Sequence, residues 1–176
     1  MPEPSPTILA IDPGTKEVGV AILSGPALHY YGVKTIKRRQ PPQALLAEIS
    51  RYITSLIQEY RPEILAVEKT FLIQKNAALL NVAAVEIKHT AKQHGLQVYE
   101  YAPTEVRKTI CQSGKATKRE TARLVATRFP ELARLLKQPT KWEELYWANM
   151  FDAVAVGLTC LNEICGDGDG VFAYQQ

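Results

Sequence analysis

Apolar and polar positions change their period several times along the chain, and each change marks an element. Residues 7–11 form a short apolar run ended by the turn signal Asp12-Pro13-Gly14. Residues 18–23 form a second β-like run, and residues 27–35, with two tyrosines and a valine, a third. The short links between them predict an antiparallel meander. The period then lengthens. Leu45, Ile49, Tyr52, Ile53, Leu56 and Tyr60 recur at spacings of three and four, which predicts a helix opened by Pro41 and Pro42 and ended by Pro62. Residues 64–67 are continuously apolar, as a buried strand is.

Residues 76–93 read as a second long helix, alanine-rich and apolar nearly all round through Ile87, which suits a core or an interface. Residues 97–101 are the fifth strand. Thr104 is the expected N-cap of a short helix reaching about Gln112, and Ser113-Gly114 breaks it. Thr117-Lys118-Arg119-Glu120 has the form of a capping box and starts another helix, ended near Pro130. A last long helix is expected from about Glu144 to Ile164. Strands that pair first and then alternate with helices predict an α/β domain with a mixed sheet over residues 7–165. Residues 1–6, with three prolines, and the Gly/Asp-rich 166–176 read as flexible ends.

Composition narrows the class. The chain has 176 residues, 46% of them hydrophobic and 22% charged, which suits one globular domain. Three cysteines make no disulfide framework, and the start of the chain has no basic and apolar leader pattern. No apolar run is long enough to cross a bilayer. A cytoplasmic domain without membrane contact is the expectation. The net charge is only +3, but residues 105–123 carry six basic residues against two acidic ones. That clustering reads as a phosphate-contacting surface, with a solvated helix face as the plain alternative.

Three carboxylates stand where carboxylates are costly. Asp12 follows an apolar strand, Glu68 follows the most apolar strand, and Asp152 lies within the apolar stretch 151–157 of the last helix. Singly, Asp12 also reads as a turn residue, Glu68 as a solvated strand exit, and Asp152 as half of a buried ion pair. Together they form an oxygen-donor set suited to Mg²⁺, with Mn²⁺ as a substitute.

The same segments carry a resemblance. Ile8-Leu9-Ala10-Ile11-Asp12-Pro13-Gly14-Thr15 with Gly19, Val67-Glu68-Lys69-Thr70-Phe71 with Lys75-Asn76, Tyr99 to Lys118, and Asn149-Met150-Phe151-Asp152-Ala153-Val154-Ala155 resemble, in order and in spacing, the motifs of the RuvC Holliday-junction resolvases. The resemblance implies an RNase H-like fold, a mixed five-stranded sheet flanked by helices. It also implies a homodimer that resolves four-way DNA junctions by divalent-metal-dependent phosphodiester hydrolysis. Asp12, Glu68 and Asp152 take the positions of the catalytic metal ligands. Lys118 and Arg107 take those of basic groups near the scissile phosphate, and Phe71 that of an aromatic contacting DNA bases. Phe71 taken alone reads equally as a core residue. Lys75, Lys108, Lys115 and Arg119 complete the expected DNA-binding set.

One departure stands out. The family's usual fourth ligand, three residues before the last Asp, is here Asn149. Positions 149 and 152 share a helix face, so a neutral amide oxygen is expected to face the cation, with weaker binding for want of a charge. Glu143 or Glu144 is the expected compensation. The same departure motivates an alternative, a non-catalytic or weakly active branched-DNA-binding protein of this fold. A third reading, an actin-like phosphotransferase suggested by Asp12-Pro13-Gly14-Thr15, requires two related domains, and the chain has room for one.

Overall fold

The computed structural model describes residues 5–37, 39–71 and 77–166. Five strands form one sheet: β1 (Thr7–Asp12), β2 (Glu17–Ser24), β3 (Ala27–Thr35), β4 (Ile64–Glu68) and β5 (Gln97–Tyr101). Their order is β3-β2-β1-β4-β5. The first three pair antiparallel, and β4 and β5 join parallel, so the sheet is mixed.

The helices are α1 (Pro42–Tyr60), α2 (Ala77–Gln93), α3 (Pro103–Cys111), α4 (Lys118–Arg128) and α5 (Lys141–Cys165). Alternate strand residues serve opposite faces. Leu9, Ile11, Val20, Ile22, Leu65 and Val67 pack under α1 and α2, against Ile49, Ile53, Ala83 and Ile87. Ile8, Ala10, Ala21, Leu23, Ile64 and Ala66 pack under α5, against Val154, Ala155 and Leu158, with α3 and α4 closing the flank. The central helix approaches the sheet at glycines. A Cβ on Gly157 would lie 2.3 Å from Leu23 Cδ1 and 2.9 Å from Ala10 Cβ. One on Gly19 would lie 1.8 Å from the Asn149 carbonyl oxygen.

Several boundaries differ from the sequence reading. α3 starts at Pro103 rather than after a Thr104 cap. Proline needs no donor at that first helical position, and the Glu105 carboxylate accepts from the Ala102 N–H at 2.5 Å. α5 begins three residues earlier than expected, at a second capping box: Thr140 Oγ1 accepts from Glu143 N and Glu143 Oε2 from Thr140 N, both at 3.2 Å. Glu143 is thus engaged in capping and does not compensate for Asn149. Between α4 and α5 a 3₁₀ turn, Pro130–Leu135, buries Leu132. α2 gives one face to the core and leaves Val82 and Val85 exposed. The tail beyond Gly166 and the start of the α2 segment, Lys75 and Asn76 included, lie outside the described residues.

Candidate active site

Asp12 and Glu68 are the last residues of adjacent parallel strands. Ile11 pairs with Val67, so the two acids that follow stand side by side. Both continue the alternation of Ile8, Ala10, Ile64 and Ala66, which turns them to the α5 face. Asp152 comes down to the same edge from α5 and is only 8% exposed. Three separate segments therefore bring carboxylates to one edge of the sheet.

Their electrostatics follow from that proximity. Burial raises Asp12 well above the usual carboxylate range, and the charges of Asp152 and Glu68 raise it further. Burial, with help from Asp152, pushes Glu68 up to about 7. Asp152 is also raised by burial, against the opposing pull of Lys118 and Arg107. Lys118 is the first residue of α4, held there by the predicted box: Thr117 N donates to Glu120 Oε2 at 2.6 Å and Glu120 N to Thr117 Oγ1 at 3.2 Å. Much of its side chain is exposed, but its Nζ lies 2.5 Å from Asp152 Oδ2. Burial alone lowers this ammonium, and Asp152, Asp12 and Glu68 outweigh that and raise it.

The donor set fits a hard divalent cation. Carboxylate oxygens are the ligands such ions take, and the mutual repulsion of these three already draws a cationic group onto Asp152. Among the described residues, no three carboxylate, imidazole or thiol groups form a ready-made cage. Asp12, Glu68 and Asp152 are the residues whose chemistry could hold such an ion.

The remaining sequence-predicted residues divide by distance from this cluster. Arg107, on α3, is close enough to lower both Glu68 and Asp152. Phe71 is 51% exposed, which removes the core reading, and it lines a cavity together with Glu68, Thr70 and Asn81. Lys108, Lys115 and Arg119 are exposed. Arg119 and Lys118 also edge a cavity of about 260 Å³ beside Asp152, walled by Leu135, Leu145 and Phe151. Glu144 lines that same cavity and is not among the groups that shift the acidic cluster.

Asn149 lies one helical turn before Asp152 on α5, and its amide is already engaged. Nδ2 donates to Glu17 Oε2 at 3.2 Å, with longer contacts to the carbonyls of Leu145 at 3.4 Å and Tyr146 at 3.5 Å. Glu17 escaped the sequence reading, which began the second strand at Val18. Its signal is parity: it shares the alternation of Gly19, Ala21 and Leu23, the side of β2 that faces α5.

The mixed five-stranded sheet flanked by helices matches the RNase H-like fold. The sequence profile described as Crossover junction endodeoxyribonuclease RuvC matches residues 8–160. The chain belongs to the RuvC family. Among relatives bearing that name, the Akkermansia muciniphila protein is 29% identical over 161 residues, 88% of this chain and 89% of its own. That of Myxococcus xanthus is 32% identical over 162 residues, 88% of this chain and 80% of its own.

The structure of Thermus thermophilus RuvC superposes with a TM-score of 0.73 at 24% identity, covering 91% of this chain and 96% of that one. A second T. thermophilus structure, RuvC in complex with Holliday junction substrate, gives 0.73 at 24% identity, over 88% and 92%. These likenesses bear out the expected fold. The family is divalent-metal dependent. No helix among the described residues is long and apolar enough to cross a membrane.

Proposed function

We propose that this chain is a structure-selective endonuclease that resolves four-way DNA junctions, acting in the cytoplasm as a homodimer with Mg²⁺, for which Mn²⁺ substitutes. The observation that carries the reading is the convergence of Asp12, Glu68 and Asp152 at one sheet edge with the Lys118 ammonium against them. The bound cation would activate water and neutralise charge on the phosphodiester. Asp12 is central because it interacts with both other acids and with Lys118.

Lys118 has two roles in this reading. It shields Asp152 while no substrate is present, and it offers the cation of a largely exposed side chain to the phosphoryl oxygens when DNA arrives. Arg107 supports the same field from α3. Lys108, Lys115 and Arg119, exposed on the α3–α4 side, would track the backbone, and that contact weakens steeply with salt. Phe71, exposed one step beyond the acidic edge, would stack on an unpaired base at the branch. Lys75 belongs to the same proposed surface by sequence. A two-fold dimer matches the two symmetric strands of a junction, and the exposed Val82 and Val85 of α2 are the apolar surface that supports it.

The test is cleavage of a labelled synthetic four-way junction beside a matched linear duplex, in Mg²⁺ and in Mn²⁺. Paired symmetric nicks in the junction alone, lost in Asp12→Asn while binding persists, are the expected result. Tight, salt-sensitive binding without nicks in either metal overturns the enzymatic reading in favour of a junction-binding protein.

A further inference from the structure

The amide of Asn149 has two ends, and the structure distinguishes them. Around Nδ2 stand three oxygens: the Glu17 carboxylate at 3.2 Å and the carbonyls of Leu145 and Tyr146 at 3.4 and 3.5 Å. All three only accept, so turning the amide over would set its oxygen against theirs. Glu17 therefore fixes which end of the amide faces it, and turns Oδ1 away from itself. The backbone at this point has little room to adjust. The Asn149 carbonyl presses on Gly19, and Gly19 is the strand partner of Asp12. Asn149 is thereby held one strand away from Asp12 and one helical turn from Asp152.

Charge completes the argument. Glu17 is a fourth carboxylate on the site face of the sheet, supplied by β2 instead of by α5. A carboxylate at position 149 would stand against it where the amide now donates. An acid at 17 and an amide at 149 are thus a matched pair.

We propose that Glu17 is a positioning residue for the divalent-cation site: it holds Asn149 Nδ2 so that Oδ1 is offered as a neutral oxygen ligand. The inference rests on the metal-dependent reading above. It differs from a simple loss of a ligand, because it makes the effect of Asn149→Asp depend on residue 17.

The test is uptake of Mn²⁺ by the full-length protein without DNA, read from the electron paramagnetic resonance signal of the free ion. Thermal unfolding of each variant verifies that it is folded. Glu17→Ala is expected to weaken the uptake about tenfold, the lower end for loss of a group that orients a metal ligand. Glu17→Gln, which still accepts from the amide, is expected to weaken it less. Asn149→Asp is expected to bind no more tightly than the natural chain, because two carboxylates then face each other. Adding Glu17→Gln to Asn149→Asp is expected to tighten binding, the reverse of its effect in the natural chain.

Uptake in Glu17→Ala equal to that of the natural chain overturns the proposal. So does an Asn149→Asp gain that is the same whichever residue is at 17. A natural chain without any uptake that Asp12→Asn removes overturns the metal-dependent reading as well, which separates the two failures.

Discussion

The two faces of the sheet are built from the same strands and do different work. Under α1 and α2, strand residues are aliphatic to the end: Leu9 and Ile11 on β1, Leu65 and Val67 on β4. Under α5 the interleaved residues begin the same way, with Ile8 and Ala10, Ile64 and Ala66, and then end in Asp12 and Glu68. One face is closed by packing alone. The other is closed by packing as far as Phe151 and Val154 and then opens onto charge. The difference between them is one residue at the end of each strand. The apolar face supplies rigidity, and the acidic edge uses that rigidity to hold like charges together.

The strongest way to break this comparison is to remove a charge from the acidic edge. Asp12→Asn retains the size of the side chain and should lower junction cleavage by about three orders of magnitude, as loss of an electrostatic catalytic group does. Junction affinity and the far-ultraviolet circular dichroism spectrum should be retained. A comparable charge change has no counterpart on the other face. There, Leu65→Ala leaves a cavity under α1 and should cost about 3 kcal/mol in denaturant titration. Cleavage per folded molecule should be unchanged. If Leu65→Ala lowers cleavage of the folded fraction as Asp12→Asn does, the division of labour between the faces is wrong.

Much of this was legible in the chain, and the reason is parity. A strand that is buried on both faces reads as a continuous apolar run, so its first polar residue marks the point where burial ends. Asp12 and Glu68 stood out for that reason, and Asp152 because it is the charged residue within the buried stretch 150–161 of α5. Glu17 was missed because it precedes the apolar run instead of ending it, and a polar residue before a strand reads as turn. The box at Thr140 was missed because Pro139 and Thr140 read as loop while the apolar pattern of α5 becomes continuous only from Met150. Phe71 was ambiguous in sequence, since an aromatic after a strand packs inward or points outward with equal ease. Only its 51% exposure decides.

The acidic edge should also be visible in the pH dependence of stability without metal. Glu68 titrates near 4.5 when unfolded and at about 7 when folded. The folded state then keeps its proton longer, so stability falls as pH rises between those two values and is level above them. Burial is the larger cause and the neighbouring Asp152 the smaller. Glu68→Gln removes this slope. Its stability relative to the natural chain should therefore rise by on the order of 2 kcal/mol from pH 4 to pH 8, measured by urea unfolding in a chelator. Mg²⁺ should reduce the difference, because it neutralises the same charge in the natural chain only. A flat difference across that range means that the Glu68 carboxyl is not held out of water as its burial at the strand end implies.

The smallest effect sharpens the comparison at the helix starts. α1, on the apolar face, begins at Pro41 with no side-chain cap, and its position is set by Leu45, Ile49 and Ile53 in the core. α5, on the acidic face, begins at Thr140 with a reciprocal box, and its first two turns leave Trp142 and Leu145 exposed. The core holds those turns only through Trp147 and the Tyr146 hydroxyl, which donates to the Val33 carbonyl at 3.0 Å, so the cap carries much of the rest. Thr140→Ala removes the acceptor for Glu143 N and should cost about 1 kcal/mol. The loss should be local: faster amide hydrogen exchange over residues 141–146, with residues 150–161 still protected by burial. Because Leu145 and Tyr146 supply two of the oxygens around Asn149 Nδ2, fraying there reaches the site without touching an acidic residue. Uniform exchange along the whole of α5 would show instead that the helix is held as one unit and that the cap contributes nothing to the site.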